Sequence, residues 1–179
     1  MIHSVENLNA RIAACTACFE DKLAGKDDKR HIVLCGGTGC LSNNSAEIRK
    51  HFVEVLERKG ASDRATVNQV GCFGFCSQGP FVKIYPEDTL YRLVQIDDVE
   101  EIVDSDIIHG QVVERLLYQD PATGEKVSKQ DDINFYKKQR RVALHGCGVI
   151  NPENIDEALG FGAFQGLKRA LSMPRQAVI

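Results

Sequence analysis

Two short cysteine runs carry the most specific chemistry in this chain, Cys35-Gly-Gly-Thr-Gly-Cys40 and Cys72-Phe-Gly-Phe-Cys76. Four residues separate the first pair, three separate the second, and 31 lie between the pairs. Two thiol pairs delivered to neighbouring loops can converge. A [2Fe-2S] cluster takes four thiolates, two per iron, and needs N–H donors around its sulfurs to offset their charge. Gly36, Gly37, Gly39, Gly71 and Gly74 let the backbone turn its amides inward at close range, and Thr38 adds a hydroxyl. Four thiolates also make a closed zinc site. Zinc ribbons favour short knuckles on both sides, so the four-and-three spacing across a long gap favours iron and sulfide. A zinc-stabilised structural or interaction domain is the alternative, and inert buried thiols are disfavoured by the glycine-rich settings.

Composition narrows the class. Hydrophobic residues make up 43% of the 179 and charged residues 26%, near the globular average, so neither disorder nor a fibrous repeat is expected. No apolar run approaches the roughly 18 residues of a membrane span. Met1 to Asn9 is polar and carries Glu6, unlike a secretory signal, so a cytoplasmic protein is expected. There, seven cysteines point to metal binding or redox chemistry rather than disulfides. A net charge of -3 and the lack of a basic stripe argue against a nucleic-acid partner.

The elements that must position the cysteines follow from periodicity. Val5, Leu8, Ile12, Cys15 and Phe19 form an amphipathic stripe, predicting a helix over residues 3–24 that ends near Gly25. His31-Ile-Val-Leu34 is apolar without alternation, as in a central strand covered on both faces, and it leads into Cys35. Asn44 and Glu47 suggest a capping box for a helix carrying Ile48, Phe52, Val55 and Leu56, ended by Gly60. Thr66 to Val70 is a second strand, completing a right-handed parallel crossover that delivers Cys72. Phe81 to Tyr85 and Thr89 to Ile96 read as an antiparallel hairpin, followed by a helix capped at Asp97 and Asp98 that runs to Gly110. The expected fold class is α/β, a thioredoxin-like βαβ-ββα sheet with an extra N-terminal helix. Beyond it, Arg141 to Leu144 reads as a strand and Asn151-Pro152 as a helix start, with glycines breaking the last helical piece. The domain boundary is placed near residue 118.

The run from His31 to about Gly110, with its cysteine spacing and the ending Cys76-Ser-Gln-Gly79-Pro80, resembles thioredoxin-like [2Fe-2S] ferredoxins. The resemblance implies Cys35, Cys40, Cys72 and Cys76 as cluster ligands and puts Pro80 where that fold often holds a cis proline. Phe135 to Arg141, His145-Gly-Cys147-Gly-Val-Ile-Asn-Pro152 and Ala163 to Leu171 look like the lead-in to a flavin-bearing, NADH-oxidising module. Together the two pieces resemble the beginning of the beta subunit of NAD(P)-linked, electron-bifurcating [FeFe]-hydrogenases, with complex I and formate dehydrogenase subunits as relatives. Residues 1–118 would then be the ferredoxin domain and 119–179 the linker and start of the flavoprotein module. The resemblance implies a one-electron carrier, not catalytic by itself, that serves other subunits of an oxidoreductase complex. FMN and NAD(P) are expected in a remainder of the parent subunit beyond Ile179. A homodimer of this piece stays open.

Other candidates are weaker. Cys15-Thr-Ala-Cys18 has the spacing of a redox dithiol, giving a thiol-disulfide oxidoreductase as a third reading, but it lies on a helical stripe without a preceding strand and reads as free thiols. Cys147 with His145 is too small a set for a metal and reads as structural. Lys137, Lys138, Arg140 and Arg141 read as a solvated basic face, and Phe73, Phe75 and Phe81 as walls around the site. Gly160-Phe-Gly162-Ala-Phe-Gln-Gly166 has the wrong spacing for a dinucleotide loop.

Overall fold

A computed structural model describes residues 4–178. Helix α1 spans Val5–Ala24, capped by the Ser4 hydroxyl, which accepts from the Asn7 amide at 3.2 Å. Leu8, Ile12, Cys15 and Phe19 are buried along it, as the stripe requires. Residue 3 of the expected helix lies outside the described residues. The helix ends at Gly25, whose φ of 67° suits glycine, and an added Cβ there would lie 2.6 Å from Pro86.

The central sheet has the order β2-β1-β3-β4, formed by β1 (Arg30–Cys35), β2 (Ala65–Val70), β3 (Val82–Tyr85) and β4 (Thr89–Tyr91). β1 and β2 are parallel, and β3 runs antiparallel to both β1 and β4. Between β1 and β2 come the short α2 (Thr38–Leu41) and the long α3 (Ser45–Arg58). The unbroken apolar run of β1 is explained by its neighbours. Ile32 and Leu34 join the core beneath α3, with Ile48, Phe52 and Val55, whereas Val33 and Cys35 face a second core with Phe73, Phe81, Leu90 and Tyr136. Each fully buried Leu, Ile or Phe contributes about 1.5–3 kcal/mol.

Several boundaries differ from the sequence reading. Asn44 precedes α3 in a left-handed conformation, φ 63°, and its side chain makes no cap, so the expected capping box does not form. β4 stops at Tyr91 rather than Ile96, because Leu93 adopts φ 51° and the chain turns to donate from Leu93 to the Gln78 carbonyl and from Val94 to the Pro80 carbonyl. The following helix starts as α4 (Asp98–Glu101) and widens into a π-helical stretch, Ile102–Ile108.

After Glu114–Leu116, a 3-10 turn, the hairpin of β5 (Tyr118–Gln119) and β6 (Lys126–Val127) lies beside β4, where the Leu90 amide donates to the Ser128 carbonyl at 2.7 Å. Then α5 (Asn134–Lys137) brings Ile133 and Tyr136 into the second core. The strand expected at 141–144 is absent. This stretch folds as successive turns, with Arg141 tied to the Phe73 and Cys147 carbonyls and Val142 and Leu144 turned to solvent. The next helix, α6 (Ile155–Gly160), starts later than Asn151, because Asn154 is the residue whose side chain accepts from the Asp156 and Glu157 amides. Helices α7 (Gln165–Leu171) and α8 (Arg175–Val178) follow.

The C-terminal segment docks on α1. Gly160 comes so close that an added Cβ would sit 2.6 Å from the Cys15 carbonyl oxygen, and Lys22 pairs with Glu157 at 2.6 Å in a nearly buried setting. Among the described residues no helix is long and apolar enough to cross a membrane.

Candidate metal centre

The β1–β2 crossover sets the site. Cys35 ends β1 in register with Val70, the last residue of β2, so the two cysteine loops leave adjacent parallel strands at the same edge. Hydrogen bonds lock the departure: the Cys35 amide donates to the Phe81 carbonyl at 3.2 Å and the Gly36 amide to the Val70 carbonyl at 2.8 Å. Helix α2 then carries Cys40 back into the core, while Cys76 opens the 3-10 turn Cys76–Gln78 that leads to the cis peptide Gly79-Pro80.

All four cysteines of the sequence reading come together around three glycines. A Cβ on Gly37 would lie 2.9 Å from Cys72 Sγ and 3.5 Å from Cys35 Sγ, one on Gly39 would lie 3.8 Å from Cys76 Sγ, and one on Gly79 would lie 2.5 Å from Cys40 Sγ. The sulfurs therefore line a cradle that side chains at these positions would fill. Burial is uneven: Cys35 and Cys40 are inaccessible, Cys72 is half-buried and Cys76 is exposed.

Amide and thiol donors set the ionisation of this group. The Cys40 thiol lowers the Cys35 thiol most, to about 6, against the cost of burial, and the Phe73 and Gly37 amides and the Cys72 thiol assist. Cys40 is pushed up because its S–H is given to Cys35, and burial adds to this. Cys72 is raised by burial, although the Gly74 amide donates to its sulfur at 3.3 Å. One thiolate is thus favoured before any metal arrives, within a shell of amides that suits further negative charge. Among the described residues no three His, Cys, Asp or Glu side chains are gathered as one metal ion would need. A [2Fe-2S] centre takes four thiolates, two per iron.

The walls extend beyond the predicted ones. Phe73 and Phe81 are buried with ring centroids 5.6 Å apart, and Phe75 stacks on Phe135 at 4.1 Å. Tyr136 stands edge-on to Phe75 at 6.1 Å. Arg141 does not belong to a solvated face: its guanidinium bonds the Phe73 carbonyl and lies 5.4 Å from the Tyr136 ring. Phe135, Tyr136 and Arg141 were missed as site neighbours because they follow the cysteines by about sixty residues, and only the two adjacent aromatics hinted at a role. Cys147 backs the Gly71 turn, 3.2 Å from where a Cβ would be. Cys15 and Cys18 stay apart from this site on α1, Cys15 buried and Cys18 exposed.

The family model and the relatives in sequence agree on what such a site holds. Residues 11–106 match the family model for thioredoxin-like [2Fe-2S] ferredoxins. The chain is 44% identical over 110 residues to a 2Fe-2S ferredoxin of Clostridium pasteurianum, spanning 62% of this chain and 96% of that one. It is 34% identical over 79 residues to a 2Fe-2S ferredoxin of Aquifex aeolicus, spanning 44% of this chain and 71% of the relative. A shorter match, 40% over 43 residues, is to the NADP-reducing hydrogenase subunit HndC of Solidesulfovibrio fructosivorans, covering 24% of this chain and 9% of that subunit. Among solved structures, the thioredoxin-like [2Fe-2S] ferredoxin from Aquifex aeolicus aligns over 50% of this chain and 95% of its own, at 28% identity and TM-score 0.46. The choice between iron-sulfur and zinc is thereby decided for the cluster, and the protein is an electron carrier. With 96 of its 179 residues matched by the family model, the chain belongs to the thioredoxin-like [2Fe-2S] ferredoxins.

Proposed function

We propose that Cys35, Cys40, Cys72 and Cys76 hold the [2Fe-2S] cluster and that this chain relays single electrons between a flavin/NAD(P)H centre and partner subunits of a hydrogenase-type complex in the cytoplasm. The observation that carries the ligand assignment is the cradle in which Gly37, Gly39 and Gly79 leave room beside all four sulfurs. When bound, the cluster supplies a one-electron couple. The chain fixes the thiolates, points the Gly37, Phe73, Phe81 and Gly74 amides at them, and keeps water from the Cys35 and Cys40 side with Phe73 and Phe81. The exposed Cys76 side is the route by which electrons pass to a partner.

The short match to HndC, whose name states an NADP-reducing hydrogenase, supports the complex context. So does the path of the chain. On this reading residues 1–118 are the carrier and residues 119–179 lead towards a flavoprotein module, and Phe135 of that lead-in already stacks on Phe75 of the second cysteine loop. The lead-in thus packs directly against the second cysteine loop.

Anaerobic mixing of the loaded chain with an NAD(P)H-reduced hydrogenase flavoprotein tests this, with bleaching of the cluster absorbance as the signal. Bleaching by one electron per cluster is the expected result. A cluster that dithionite reduces but the flavoprotein does not would overturn the hydrogenase context.

A further inference from the structure

Tyr136 ends up in an unusual place. It is 7% exposed, yet its hydroxyl is one of only two buried side-chain oxygens or nitrogens among the described residues that find no hydrogen-bond partner. A buried hydroxyl left unpaired is costly, so a native fold that tolerates one ordinarily has a partner for it that protein atoms do not supply. The surroundings point to that partner. Tyr136 shares a core cluster with Cys35, Cys40, Phe73 and Phe81, with Cys72 and Phe75 packed against it. The ring is held edge-on to Phe75 at 6.1 Å and edge-on to Phe135 at 5.2 Å, and the Arg141 guanidinium sits 5.4 Å from its centroid. These contacts fix the phenol and leave its O–H free.

We propose that the Tyr136 hydroxyl donates a hydrogen bond to a sulfur of the [2Fe-2S] centre, and that the segment after the sheet thereby tunes the reduction potential. A phenol keeps its proton up to about pH 10 and is available as a donor at neutral pH. Hydrogen bonds to cluster sulfurs are one of the levers on potential, because the reduced state carries one more negative charge and gains more from a donor. The inference rests on the four-cysteine assignment above. It adds that α5, some sixty residues beyond Cys76, completes the donor shell that the glycine amides begin.

The test is an EPR-monitored redox titration of the loaded chain, comparing the native protein with Tyr136→Phe and with 3-fluorotyrosine at position 136, a stronger donor of nearly the same size. Loss of the hydroxyl shifts the one-electron equilibrium about tenfold against reduction, a fall of about 59 mV in midpoint. Fluorination moves it the opposite way. A merely structural role for the ring would not give opposite signs. In the reduced native protein the hydroxyl proton appears as a strongly coupled proton that exchanges in D2O, and it is lost in Tyr136→Phe. Unchanged potential and an unchanged proton signal in a fully loaded Tyr136→Phe overturn the inference and leave the four-cysteine reading standing. Should Tyr136→Phe fail to load, the fluorinated chain decides alone, and no rise in its midpoint overturns the inference. A native chain that binds no iron and sulfide on the four cysteines overturns both.

Discussion

Cys15 and Cys18 on α1 and the four cysteines at the sheet edge are thiols of one chain in opposite settings. On α1 the two-residue spacing puts one thiol into the interface with α6 and the other into solvent, so the two cannot act as a unit. Cys15 is pushed up by burial and by the neighbouring Asp156 carboxylate, 3.6 Å away, which makes it a poor nucleophile and a poor ligand. At the sheet edge the spacings are longer, but the parallel strands bring both loops to one place and glycines let the sulfurs approach. Amides and a neighbouring thiol then hold Cys35 low, to about 6. Spacing alone therefore says less than the element that carries it.

The largest expected effect separates the two groups outright. Alanine at Cys35, Cys40 or Cys72 abolishes cluster assembly, and alanine at Cys76 leaves at best a labile cluster, while Cys15→Ser and Cys18→Ser keep full iron and sulfide content. Chemical analysis of purified variants reads this directly. A cluster that survives loss of Cys35 or disappears with Cys18 would erase the distinction.

The glycine cradle gives the next effect. In Gly79→Ala the new methyl would stand 2.5 Å from Cys40 Sγ, and the loop must shift at about 1–3 kcal/mol. Cluster content and melting temperature should both fall. Gly166→Ala, in a helix with nothing within 4 Å, should instead stabilise the fold by about 0.5–1 kcal/mol. Parallel thermal melts of the two variants sharpen the comparison between the site and the α1 face.

A smaller effect concerns the walls. Phe75→Ser opens the stack on Phe135 and admits water, which stabilises the more negative reduced state, so the midpoint should rise by up to about 59 mV, a tenfold change for one electron. A fully loaded variant with an unmoved midpoint would show that Phe75 does not shield the site. Smallest is the titration of the metal-free chain. The thiolate absorbance near 240 nm should gain one step around pH 6 that vanishes in Cys35→Ser, because Cys35 ionises first as pH rises, while Cys15 stays protonated beyond the ordinary range of a thiol. A first thiolate step unaffected by Cys35→Ser would contradict the ordering.

Much of this arrangement is written locally. The β1 run, the α3 stripe and the glycines beside the cysteines are signals within ten or fifteen residues, and each leads to the observed sheet and site. What the sequence conceals depends on contacts between distant segments. The early stop of β4 follows from Leu93 and Val94 bonding back to Gln78 and Pro80 in the cysteine loop, which no local pattern announces. The short run at 141–144, apolar after Arg141, reads as a strand, yet the Arg141 bonds to Phe73 and Cys147 fold it into turns. Asn151-Pro152 is a good helix start in isolation, but Asn154 makes the cap. Tyr136 and Phe135 could not be linked to Cys35 or Phe75 without the three-dimensional fold, since nothing in their spacing encodes the crossing.

The most direct test of the central claim is a chain reduced to four cysteines by Cys15→Ser, Cys18→Ser and Cys147→Ser together, analysed for iron, acid-labile sulfide and zinc and examined by EPR before and after dithionite. About two irons and two sulfides per chain, with a signal that appears only on reduction, is the predicted result. Loss of the cluster from this variant while it remains folded, or zinc in place of iron after anaerobic reconstitution, would contradict the assignment of Cys35, Cys40, Cys72 and Cys76 as the complete ligand set.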